Sequence, residues 1–60
     1  MSRVLIVEDD PAFCARYAAM LANDPSFEVV ASVGTGGEGL AMLDLRKPDI
    51  LLVDLGLPDI

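Results

Sequence analysis

Three carboxylates of this 60-residue chain stand where apolar runs give way to polar sequence. Glu8 and Asp9 follow Val4-Leu5-Ile6-Val7, and Asp54 follows Ile50-Leu51-Leu52-Val53. Brought to one crevice, their ionised forms repel each other, and a hard divalent cation supplies the counter-charge. Magnesium takes oxygen ligands, commonly one or two carboxylates with waters and a phosphate oxygen. A carboxylate held beside such an ion can act as a nucleophile toward a phosphoryl group and form an acyl phosphate. The plainer alternative is that acids at strand ends are solvated loop residues or helix caps, and Asp10 reads as a cap. That alternative is weaker for Asp54, which directly follows a run that reads as buried and would leave a costly charge at its mouth.

A second pattern points elsewhere. Gly34-x-Gly36-x-x-Gly39 opens a helical segment after a strand, and Asp54 supplies an acid about 20 residues beyond its first glycine, as a dinucleotide-binding fingerprint requires. Glycines there would let backbone N–H groups approach a pyrophosphate at the helix N-terminus. Glu38, however, puts a negative charge where the pyrophosphate would lie, and Glu8 and Asp9 would be left without a task. A Rossmann-like fragment using Gly34, Gly36, Gly39 and Asp54 is therefore the lesser alternative.

The elements that must position these residues follow from periodicity. Val4–Val7 and Ile50–Val53 are continuous apolar runs, the mark of strands buried on both faces. Asp10 can cap a helix and Pro11 suits its first position. Phe13, Tyr17, Met20 and Leu21 then recur at helical spacing and are read as core, with Arg16 on the other face. Cys14, with no histidine anywhere in the chain to activate it, is read as a small buried hydrophobe. Asn23-Asp24-Pro25 stops the helix. Residues 27–33 read as a second strand whose polar Glu28 and Ser32 suit an edge. A second helix carries Leu40, Met42 and Leu43 and ends at Lys47-Pro48-Asp49. The alternation of strand, helix, strand, helix, strand implies parallel strands joined by right-handed crossovers. In such sheets ligands bind beyond the carboxyl ends of the strands, where Glu8, Asp9 and Asp54 stand.

Composition narrows the functional classes. Ten acids against four bases give a net charge of −6, which repels nucleic acids and anionic membranes. One cysteine excludes a disulfide framework within the chain, and the lack of histidine excludes a zinc module. No apolar run approaches the roughly 20 residues of a membrane span, so a cytoplasmic setting is expected.

Val7-Glu8-Asp9-Asp10 after a first strand, with Val53-Asp54-Leu55-Gly56-Leu57-Pro58 after a third, resembles the response-regulator receiver domain of two-component signalling. The resemblance covers all 60 residues but only the first half of that domain: strands 1 to 3 and helices 1 and 2 of a truncated flavodoxin-like βαβαβ fold with strand order 2-1-3. It implies that Asp54 accepts a phosphoryl group from a histidine kinase or phosphotransfer protein. It further implies that Mg2+ is bound by Glu8, Asp9, Asp54 and the Gly56 carbonyl, with Asp9 the direct ligand of the doublet and Glu8 acting through water. Pro58 matches the family's loop proline. The loop from Leu55 to Asp59 is similar to that of receivers fused to DNA-binding domains, which implies a transcriptional output and no direct nucleic-acid contact by this segment. A signalling switch rather than an enzyme is implied as well. The hydroxyl residue and the lysine that end the family's fourth and fifth strands have no counterpart here, and Lys47 lies at the wrong end of the third strand to replace the lysine. Without the later strands, Ile50–Val53 would be an unpaired edge prone to self-association.

Overall fold

The computed structural model of the chain describes residues 1–53. Its elements run β1 (Ser2–Val7), α1 (Pro11–Ala22), β2 (Phe27–Val33), α2 (Gly36–Arg46) and β3 (Ile50–Val53). The three strands form one parallel sheet in the order β2-β1-β3, a truncated flavodoxin-like arrangement with β1 in the centre. β2 lies at an edge, as its polar interruptions suggest.

The central place of β1 explains its composition. Val4, Leu5, Ile6 and Val7 are each at most 3% exposed, because both ladders and both faces of this strand are covered. Burial of such side chains contributes about 1.5–3 kcal/mol each. Side chains alternate across the sheet, and on one face Leu5 and Val7 pack with Ala31, Val33, Met42 and Val53. α2 approaches very closely on this face: a Cβ placed on Gly39 would lie 2.8 Å from Val7 Cγ2. The register between β1 and β2 shifts between Val4 and Leu5, which pair with Val29 and Ala31 and leave Val30 as the extra residue.

Two hydrogen bonds, one to a side chain and one between backbones, close the far end of the sheet. The Arg3 N–H donates to Asp49 Oδ2, and the Asp49 N–H donates to the Arg3 carbonyl, both at 2.8 Å. Asp49 therefore anchors the start of β3 to β1 as well as following the helix stop. α2 ends on Lys47, whose φ of 47° lies in the left-handed region and whose N–H reaches the Leu43 carbonyl.

Three packing expectations are corrected. Among the described residues no side chain of α1 is buried, and Phe13 and Met20 are 44% and 65% exposed. The helix rests on β2 and β1 and has no contact with α2, so one side of its apolar stripe faces outward. There the Arg16 guanidinium lies 5.5 Å over the Phe13 ring, and the Phe13 and Tyr17 rings stack with centroids 6.4 Å apart. Cys14 is half-buried and its thiol is hydrogen-bonded with the Ser32 hydroxyl. Ile50, Leu51 and Leu52 form the far edge of the sheet, and each remains more than a third exposed rather than buried on both faces. An apolar groove of about 260 Å³ runs beside that edge, between Leu40 and Leu43 of α2 and Leu51 and Val53 of β3.

Candidate functional site

The carboxyl ends of β1 and β3 lie side by side. Val4, Leu5, Ile6 and Val7 pair in unbroken register with Ile50, Leu51, Leu52 and Val53. Glu8 and Asp9 follow Val7 at this rim. Asp54 is the residue bonded to Val53 in sequence; Asp54, Gly56 and the loop to Pro58 and Asp59 lie outside the described residues.

Glu8 extends the ladder by one step, its N–H donating to the Val33 carbonyl at 2.9 Å, and the residue is 6% exposed. A buried carboxylate must be hydrogen-bonded or paired, and Glu8 Oε1 accepts the Asp10 N–H at 3.2 Å. Asp9 is exposed at the mouth of the same turn. Asp10 caps α1, as its position before Pro11 suggests: its Oδ1 accepts the Ala12 N–H at 2.8 Å. The chain thus leaves the centre of the sheet through three successive acids, one held inside, one open to solvent and one spent on the helix.

Among the described residues no group of three or more ligating side chains comes together. The described part of the expected set is the Glu8 and Asp9 pair, an all-oxygen donor set at a strand end. Its chemistry fits magnesium, which prefers carboxylates and water to nitrogen or sulfur. With Asp54 added, the set would hold three carboxylates.

The glycine-rich segment does different work. Thr35 caps α2, its Oγ1 accepting the Glu38 N–H at 3.1 Å while its hydroxyl donates to Glu38 Oε1 at 3.1 Å. A carboxylate therefore already sits at the helix N-terminus where a pyrophosphate would bind. Gly39 lacks a side chain because Val7 fills that space. The pattern also follows the edge strand β2, away from the junction of β1 and β3. The dinucleotide alternative is set aside on these grounds. The close approach of α2 at Gly39 and the Asp10 N–H held by Glu8 were not anticipated; the only sequence signal for either was a glycine inside a helix and a third acid in a row.

An open parallel α/β sheet with acids at its carboxyl rim defines the class of molecule. Within that class the match is specific: the family model described as the response regulator receiver domain covers residues 4–60. The chain belongs to that family. Among similar proteins, the protein-glutamate methylesterase/protein-glutamine glutaminase 3 of Myxococcus xanthus is 38% identical over 56 residues, 93% of this chain and 16% of that protein. A protein-glutamate methylesterase/protein-glutamine glutaminase of Agrobacterium fabrum is 34% identical over 59 residues, 98% of this chain and 17% of that protein. The transcriptional regulatory protein PdtaR of Mycobacterium tuberculosis is 36% identical over 56 residues, 93% of this chain and 27% of that protein. No solved structure matches the chain.

These relatives correct one expectation. A switch that is not an enzyme was implied, yet several relatives are enzymes by name, and the segment they share with this chain is their receiver domain. The chain spans about a sixth of their length. No described helix is long and apolar enough to cross a membrane.

Proposed function

We propose that this chain is the phosphoacceptor-bearing, N-terminal part of a receiver domain (residues 1–60), taking a phosphoryl group on Asp54 from a histidine kinase or phosphotransfer protein. The observation that supports this best is the register of β1 against β3, which pairs Val7 with Val53, the residues that precede Glu8 and Asp54 in the sequence. A carboxylate oxygen of Asp54 attacks phosphorus, the bond from phosphorus to the donor nitrogen breaks, and the departing imidazole takes up a proton. Glu8, Asp9, Asp54 and the Gly56 carbonyl would hold Mg2+, which would supply positive charge to neutralise the phosphoryl oxygens. The site of action is cytoplasmic, where the phosphodonor acts.

The output that phosphorylation controls is best supported as a catalytic one, since relatives bearing this segment are named methylesterases and glutaminases. Transcriptional control, through DNA contacts made by a separate domain, is the second reading and is favoured by the regulatory relative.

Calorimetric titration of the full chain with Mg2+ tests the site. Asp9→Asn is expected to weaken binding at least about tenfold, the usual scale for changes at or next to metal ligands. Asp44→Asn, on the exposed side of α2, is expected to bind as the parent does. Equal affinity in all three proteins would remove Asp9 from the site.

Exposed Ile50, Leu51 and Leu52 make β3 a template for pairing with a second copy, because the strand carries no charge to block it. Sedimentation of the 60-residue chain is expected to show concentration-dependent association that Leu51→Lys suppresses. A monodisperse monomer at all concentrations contradicts this.

A further inference from the structure

Asp10 is used twice in the turn from β1 into α1. Its main-chain N–H donates to Glu8 Oε1 at 3.2 Å, while its own Oδ1 accepts the Ala12 N–H at 2.8 Å and its carbonyl accepts the Cys14 N–H at 2.9 Å. The backbone at Asp10 is extended, with φ −89° and ψ 115°, the conformation a helix cap requires. One residue therefore fixes the first turn of α1 and aims a donor at a carboxylate that is only 6% exposed. Asp9 stands between two anchored neighbours, Glu8 tied to β2 through the Val33 carbonyl and Asp10 tied to the helix.

We infer that Asp10 is a positioning residue for cation binding at Glu8 and Asp9, acting through the geometry of its cap and not through its own charge. The inference rests on the reading of Glu8 and Asp9 as magnesium-binding. If the Asp10 side chain releases the Ala12 N–H, the Asp10 peptide is free to rotate, and the donor that holds Glu8 turns with it. The bound cation in turn steadies the same peptide, so occupancy of the site is transmitted to the start of α1.

Charge and capping can be separated by substitution. Asp10→Asn keeps a capping oxygen and removes the charge, Asp10→Ala removes both, and Asp10→Glu keeps the charge while its longer side chain misplaces the oxygen. In Mg2+ titrations of the full chain at fixed ionic strength, Asp10→Ala is expected to raise Kd about tenfold and Asp10→Asn by no more than about twofold, the larger figure being the scale of lost ligand support. The Asp10 and Ala12 amide resonances are expected to move with Mg2+ in the parent and in Asp10→Asn, with the same Kd. Should Asp10→Ala lose its helical circular dichroism, Asp10→Glu takes its place with the same tenfold expectation. An unchanged Kd in the cap-deficient variant, or an equal loss in Asp10→Asn, overturns the inference. A parent that binds no Mg2+ sinks the underlying reading as well, whereas binding that Asp9→Asn weakens and the Asp10 variants spare overturns the positioning role alone.

Discussion

Asp54→Asn is expected to abolish uptake of a phosphoryl group from acetyl phosphate and Mg2+, a loss of at least about a thousandfold in rate, as when an enzyme loses its nucleophile. The physical reason lies in the side-chain chemistry. An amide oxygen carries no full negative charge to attack phosphorus, and removing a carboxylate would also weaken the attraction for a cation at the proposed site. The measurement is intact mass after incubation of the full chain, beside Asp44→Asn as a control that keeps the net charge change and lies on the exposed side of α2. The control is expected to gain phosphoryl mass as the parent does.

The second large effect concerns the strand that carries the site. Leu5 is 0% exposed at the centre of the sheet, and Leu5→Ala is expected to cost about 2–5 kcal/mol, as large-to-small changes in cores do. Stabilities run near 0.05–0.15 kcal/mol per residue, so a 60-residue fold has about 3–9 kcal/mol in all. The substitution therefore removes much or all of the folded population. Ile50→Ala, one residue over on the neighbouring strand and 38% exposed, removes a side chain that water already reaches and is expected to cost clearly less. Urea unfolding followed by far-ultraviolet circular dichroism compares the two, and equal losses would mean that β1 is not the core of this fold.

The strands were legible because their signals are local. Val4–Val7 and Ile50–Val53 are unbroken apolar runs bounded by acids and a proline, and Phe27–Val33 has the mixed pattern of an edge. Asp10 and Thr35 were placed at helix starts by the residue types that cap helices. Burial was less legible, because it depends on what lies opposite. The stripe on α1 has the right spacing for a core, but the sheet beneath covers only part of it, which leaves Phe13 and Met20 exposed. Likewise Ile50–Val53 reads as a buried strand, while its exposure follows from its place at the sheet edge. Gly39 has two local meanings, a phosphate-binding turn or a packing contact, and only the distance to Val7 chooses between them. The pairing of Arg3 with Asp49 joins residues 46 positions apart and leaves no periodic trace. Glu8 and Asp9 were singled out by type and position as strand-end acids, whereas the inward hold on Glu8 comes from the turn geometry.

Direct chemical identification of the phosphorylated residue addresses the central claim, that Asp54 is the phosphoacceptor beside Glu8 and Asp9. After reaction of the full chain with acetyl phosphate and Mg2+, borohydride reduction converts an aspartyl phosphate to homoserine, which peptide sequencing by mass spectrometry locates. Homoserine at position 54, formed only when Mg2+ is present, is the predicted result. Homoserine at a different aspartate, or none in a chain that folds and binds Mg2+, would contradict the assignment.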